Sequence, residues 1–330
     1  MKQSFGNLPS GEGVSLYTIS CGRVSADITD LGATLVSCRV DGVDVVLGFD
    51  DASGYLNNDG FLGAIVGRNA NRIGGAAFPL NRETVQLAQN EGKNNLHSGP
   101  DCWYTRLWNV ECTEEASIRL TLHSPDGDQG FPGNADIAVT YTIENDALTV
   151  RYDAVSDRDT VFNLTNHAYF NLFGADQPQR AMEQVLTLNA AHFNPDDAEN
   201  IPTGEVRSVE GTPFDFRQSK ALGRDIGENY EPLHLQGGYD HNFVISGNPC
   251  AVLTAPGTGR TMTVSTTCPG VQVYTANFLD VVGKNGVRYP KRSGVALETQ
   301  FAPNSVNHPE WPQPFTKAGE HYHSETRFQF

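Results

Sequence analysis

The chain has no run approaching the roughly 18 apolar residues that a membrane-spanning helix needs. Behind Lys2 its amino terminus, Met1-Lys2-Gln3-Ser4-Phe5-Gly6-Asn7, carries no apolar stretch, so no secretory signal is expected. None of the six cysteines (Cys21, Cys38, Cys102, Cys112, Cys250, Cys268) belongs to a CxxC, and their spacings repeat nothing. That disfavours a zinc site and a disulfide framework and points to a reducing, cytoplasmic compartment. There is no GxSxG and no P-loop, and no helix follows Gly257-Thr258-Gly259 to make it a nucleotide fingerprint. Basic charge is scarce. Lys+Arg 23 against Asp+Glu 39 gives −16, with no local basic cluster to offset it. Nucleic acid and anionic membrane surfaces are therefore excluded as partners. Phosphorylated substrates are disfavoured for the same reason, although one buried Arg could still hold one phosphate. A neutral small molecule is untouched by the argument.

What is present is a folding composition: 330 residues, 38% hydrophobic and 19% charged, too apolar and too weakly charged for disorder. Gly 33 and Pro 18 call for many turns, and between them apolar residues recur with period two. Ile118, Leu120 and Leu122 alternate with Arg119, Thr121 and His123. Ile137, Val139, Tyr141 and Ile143 run to Glu144-Asn145-Asp146, and Leu148, Val150, Tyr152 and Ala154 return, which predicts a hairpin. Helical periodicity is nearly absent, with short helical turns expected only around 53–56 and 219–226. No linker, low-complexity tract or internal repeat divides the chain. The expectation is one all-β domain over 1–330, a sandwich or barrel whose long loops are left to build a site.

Several segments carry chemistry-bearing residues. Read as one strand, NLTNHAYFNL (163–172) puts Asn163, Thr165, His167 and Tyr169 on a common face. That row suits either solvent or a lined cavity, and the flanking asparagines could fix the tautomer of His167. In GVALETQF (294–301) alternation sets Glu298 among apolar neighbours. Burial there would raise its pKa toward that of a general base at neutral pH, whereas an edge strand would leave it an ordinary surface Glu. GRNANRIGG (67–75) crowds Arg68, Asn69, Asn71 and Arg72 between glycines, NNLHSG (94–99) carries His97 in a loop, and GGYDHNF (237–243) supplies Asp240 and His241. The HYH at 321–323 reads as a terminal strand with exposed imidazoles. PDGDQG (125–130) reads as a tight turn, since it lacks the ligand spacing of a calcium loop.

Taken together and in order, DVVLGFD (44–50), GRNANRI (67–73), NNLHSG (94–99), SPDGDQGFPGN (124–134), NLTNHAYFNL (163–172), GGYDHNF (237–243), VQVYTANFL (271–279) and ALETQFAPNSVNH (296–308) resemble the aldose 1-epimerases, or galactose mutarotases. The matches span nearly the whole chain. The resemblance implies a single large antiparallel β-sandwich, the galactose mutarotase-like supersandwich, with few short helices and a sugar cleft across one face. It implies Glu298 as general base, His167 as general acid and His97 as a second polarising imidazole. It implies that Asn71, Arg72, Asp240 and Gln272 hold the sugar hydroxyls, with no metal and no organic cofactor. Ser98 stands where the family usually has a second glycine, and Asn69 where Tyr or Val is commoner; both are expected on the rim of the site.

The chemistry suits these residue types on its own. Exchange of α and β anomers needs a base for the C1 hydroxyl proton and an acid at the ring oxygen. His167 is then expected to rest protonated, favoured by a nearby carboxylate. Trp103, Tyr104 and Phe278 are candidates to stack on a sugar, with core packing as the default for each. The expected substrate is a free hexose, galactose or glucose, handled by a monomer or homodimer. Open alternatives are a hexose-6-phosphate 1-epimerase, a glycoside hydrolase using Asp240 and Glu298, and a non-catalytic sugar-binding protein.

Overall fold

The computed structural model describes residues 1–330, and it is built almost entirely of antiparallel strands. A nine-stranded sheet runs, in spatial order, Asn109–Thr113, Ser117–Ser124, Ala135–Glu144, Ala147–Ser156, His321–Gln329, Arg260–Thr266, Ala251–Ala255, Val185–Leu188 and Lys220–Ala221. A six-stranded sheet runs Tyr169–Phe170, Val295–Gln300, Gly270–Tyr274, Asp240–Ile245, Ala190–Phe193 and Arg207–Ser208. One contiguous core joins them: Val139, Val150 and Phe328 from the larger sheet lie with Phe170, Val271, Phe243 and Leu297 from the smaller. The rings of Phe170 and Phe328 meet across the layers at 5.0 Å. A five-stranded amino-terminal sheet, Lys2–Asn7 to Val43–Asp44, adds Ile19, Ile28 and Leu35 to that core.

The expected hairpin forms in full register, Ile137 opposite Ala154 and Glu144 opposite Ala147. Its two-residue turn, Asn145-Asp146, takes φ of 51° and 58°, the left-handed pair that a right-twisted ribbon demands. The short helix near 53–56 also forms, as Ala52–Leu56, capped by Asp51 accepting from the Ser53 N–H. The expected helix at 219–226 does not. Lys220–Ala221 joins the edge of the large sheet instead, and the Lys220 ammonium donates to Asp225 at 2.7 Å, tying the stretch into a turn. The second α-helix is Glu231–Gln236, opened by Pro232 and closed by Gly237 at φ 65°.

Nor is 163–172 one strand. Thr165–Asn166 pairs with Ile65–Val66, while Tyr169–Phe170 pairs with Val295–Gln300. Between them the backbone of His167 exchanges hydrogen bonds with Gly63 and Ala64. Every residue of the segment is buried; of the polar row, His167 and Tyr169 line the cleft while Asn163 is bonded to the Phe301 backbone.

The six-stranded sheet positions the chemistry. Val295–Gln300 is buried along its whole length, with Val295 and Leu297 turned to the core and Glu298 on the other face. In register, Gln272 lies opposite Glu298, and Asn242 opposite Gln272. Two residue pairs along, Asp240 faces Tyr274. The alternation that fills the core with Val271, Val273 and Phe243 thus collects polar side chains on the opposite face.

Candidate active site

Over that polar face opens a cleft of about 340 Å³, lined by Asn71, Arg72, Glu91, His97, His167, Asp240 and Glu298 with Phe61, Tyr169 and Tyr274. Glu298 is 2% exposed, and the edge-strand alternative falls. His167 Nε2 stands 3.6 Å from Glu298 Oε1 on the cleft floor. The ring of His97 meets that of His167 nearly edge-on at 5.6 Å, and Phe61 packs 4.5 Å from His97. Tyr169 and Tyr274 flank His167 at 5.0 and 6.1 Å. This aromatic surround excludes water from the imidazoles, and burial dominates their titration.

Both members of the central pair are shifted against their charged forms. Burial first, and then the charge of Asp240, push the Glu298 carboxyl well above its usual range, with Arg72 opposing. Burial pushes His167 down to about 4. Burial thus disfavours the imidazolium expected for His167 as well as the carboxylate of Glu298. The asparagine neighbours do not fix the His167 tautomer either. Asn166 is used up on the Gly63 carbonyl and the Ala168 N–H, and His167 Nδ1 has no partner.

The tautomer of His97, by contrast, is set. Asn71 and His97 both take left-handed backbone, at φ 60° and 50°. That geometry lets the His97 N–H donate to the Asn71 carbonyl and the Asn71 N–H donate to His97 Nδ1, each at 3.1 Å. An accepting Nδ1 puts the ring proton on Nε2, and burial, with His167 and Arg72 adding to it, holds His97 well below its ordinary pKa. His97 is thus a fixed neutral donor.

This lock also bears on metal binding. Ligand atoms of His97, His167 and Glu298 lie within 4.8 Å of one another. With His97 Nε2 protonated, the trio offers one free imidazole lone pair and a carboxyl whose charged form burial disfavours, a poor donor set for a cation.

Six of the seven expected residues line the cleft: Glu298, His167, His97, Asn71, Arg72 and Asp240. Gln272 does not. Its Nε2 donates to Asp240 Oδ1 at 2.7 Å, so it holds the carboxylate from behind. Arg68, grouped with Asn71 and Arg72 by sequence, points away and is 1% exposed among backbone carbonyls. Asn69 and Ser98, expected on the rim, are buried and bonded to each other, the Ser98 hydroxyl accepting from the Asn69 N–H at 2.8 Å. Trp103 belongs to the core, Tyr104 backs Phe61, and Phe278 stands at the cleft mouth, 70% exposed. Sequence reading missed Phe61, Tyr274 and Glu91. Tyr274 was within reach, two residues beyond Gln272 on an alternating strand; Phe61 and Glu91 come from loops that only the fold brings here.

The chain matches the model of the aldose 1-epimerase family over residues 15–329. It is 41% identical to the galactose mutarotase of Bos taurus, covering 99% of this chain and 97% of that protein. It is 40% identical to the aldose 1-epimerase of Haemophilus influenzae, covering 100% and 99%. Among solved structures, the aldose epimerase homologue from C. elegans superposes with a TM-score of 0.88 at 30% identity, over 96% of this chain and 98% of that one.

Proposed function

The chain belongs to the aldose 1-epimerase family and is an isomerase, and we propose that it interconverts the α and β anomers of free hexoses, galactose and glucose, with Glu298 and His167 as the acid–base pair. The observation that carries this is the 3.6 Å approach of His167 Nε2 to Glu298 Oε1 in a water-poor cleft. Ring opening takes the proton from the C1 hydroxyl and delivers one to the ring oxygen; rotation about C1–C2 and closure reverse both movements. Glu298 as carboxylate performs the first and His167 as imidazolium the second, after which the roles exchange. Burial disfavours both charged forms, so the bound sugar has to stabilise them. The C1 hydroxyl and ring oxygen supply the hydrogen bonds that stabilise the separated charges.

His97 Nε2–H donates to a sugar oxygen throughout the cycle, because its tautomer is locked. Asn71, Arg72 and Asp240 take the remaining hydroxyls, Asp240 accepting and Arg72 donating, with Gln272 keeping Asp240 oriented. In this reading the protein is a single domain over 1–330, working in the cytoplasm as a monomer or homodimer on a small sugar, with neither nucleic acid nor membrane as partner. No helix is long and apolar enough to cross a membrane. The six unpaired cysteines and the charge of −16 support the rest.

Polarimetry on freshly dissolved α-D-galactose and α-D-glucose tests the reading. The protein should speed the decay of rotation to an unchanged equilibrium value. Glu298→Gln should lower kcat at least about a hundredfold while KM moves a few-fold. Turnover near normal in that variant would overturn the assignment.

A further inference from the structure

Arg72 is the sole lysine or arginine lining the cleft, which it shares with the carboxyl groups of Asp59, Glu91, Asp240, Asp280 and Glu298. Its charge is already paired. Nε donates to Glu91 Oε2 at 2.6 Å and Nη2 to Glu91 Oε1 at 2.8 Å, a fork-on-fork pair that uses two of the five N–H donors and leaves the Nη1 edge facing outward from it. Burial works against the charge on Arg72, but the Glu91 bonds and the charge of Asp240 more than restore it, so the arginine stays cationic and neutralised.

Glu91 is held for this task. It sits on a tight turn in which Asn94 N–H donates to the Glu91 carbonyl at 2.9 Å. The Asn90 side chain brackets Leu96, accepting from its N–H at 2.8 Å and donating to its carbonyl at 2.9 Å. The same loop then delivers His97. The one cation on the turn, Lys93, faces outward to Glu199 at 3.0 Å and offers the cleft nothing.

We propose that Glu91 is a specificity residue: by occupying Arg72 and adding its own charge at the mouth, it closes the cleft to anionic sugars and reserves it for neutral aldoses. This rests on the reading of the cleft as the site of anomer exchange. A phosphorylated or carboxylated sugar could reach only the Nη1 edge of an arginine already neutralised by Glu91, and would lie beside the Glu91 carboxylate as well as Asp240 and Glu298. A neutral hexose can use the same free N–H donors without that repulsion.

The test compares the native enzyme with Glu91→Gln and Glu91→Ala, the second guarding against a glutamine that re-forms the pairing. Mutarotation of galactose is followed with galactose 6-phosphate or inorganic phosphate as competitor. Inorganic phosphate binding is measured in parallel by titration calorimetry, which needs no turnover. Both variants should bind the two anions at least about tenfold more tightly than the native enzyme, the scale of one additional charge-assisted hydrogen bond. The difference should shrink as salt is added. Anion binding by the variants no tighter than native, or native turnover of galactose 6-phosphate matching that of galactose, would overturn the proposal. Native enzyme inert on every free hexose would instead count against the anomer-exchange reading, and the calorimetry would still decide whether Glu91 excludes anions.

Discussion

Arg68 lies three residues before Asn71, and its replacement should unfold the site from beneath rather than alter its chemistry. The guanidinium is buried and donates to the carbonyls of Ser124, Pro125, Pro132 and Gly133 and to the hydroxyls of Ser124 and Thr160. Burial lowers its pKa to about 10, with Asp128 opposing, so it is still charged at neutral pH. In Arg68→Met the hydroxyls can rotate to new partners, but the carbonyls of the buried Ser124 and Gly133 lose their donor. At about 1–3 kcal/mol for each buried orphan, the loss is about 2–6 kcal/mol, a large share of the roughly 5–15 kcal/mol that stabilises an ordinary domain. Arg68→Lys keeps a charge and three donors and should lose distinctly less. Urea denaturation followed by circular dichroism reads both, with activity falling in parallel with folded fraction. A loss under about 1 kcal/mol in Arg68→Met would show that the 124–133 loop does not depend on this arginine, and the argument from orphaned carbonyls would fail.

Gln272→Met should raise the KM for galactose about tenfold with kcat changed only a few-fold, because Asp240 loses a charge-assisted bond but the Glu298–His167 pair is untouched; steady-state polarimetry separates the two, and a fall confined to kcat would contradict the positioning role. His241, on the core face with its ring edge-on to the stacked Phe193 and Phe214, has its pKa lowered to about 3 by burial first and Arg207 second. Its folded pKa lies below the unfolded value near 6.5, so its contribution is present above that pH and lost as pH falls toward the folded value. Relative to His241→Phe, the native protein should lose about 1 kcal/mol of stability between pH 6.5 and 5.5, and parallel denaturation curves at the two pH values would refute this.

The parts of the site that could be read from sequence are those where one periodicity decides two things at once. On Val295–Gln300 the alternation that sends Val295 and Leu297 inward also sends Glu298 to the opposite face, and the same holds for Asp240 and Gln272 on their strands. What alternation cannot say is how far a side chain reaches. Gln272 stops at Asp240 and never lines the cleft. It is equally silent where the chain changes partners, as at His167, where a segment regular in sequence pairs with two different strands. Loop residues are hardest. Glu91 sits among polar residues of no distinctive pattern, and its meaning arises only where Arg72 crosses it. The burial of Asn69 and Ser98 likewise follows from a hydrogen bond between two loops far apart in sequence.

The protonation of the central pair is where structure most changes the chemical picture. In water a glutamate titrates near 4.3 and a histidine near 6.5, so a shared proton would favour the imidazole by about a hundredfold. The cleft moves the two values toward each other, since burial disfavours the carboxylate and the imidazolium alike. An ion pair at the cleft floor would face that penalty twice, and the neutral pair avoids it. Mutarotation sets a particular demand on such a pair. Each group must give a proton in one half of the cycle and take it back in the other, in both directions of a reaction whose end states differ little in energy. The same groups that hold the sugar hydroxyls act on this balance: Asp240 adds to the upward push of burial on Glu298, and Arg72 opposes both. A substitution at either position should therefore shift the pH dependence of turnover as well as sugar affinity.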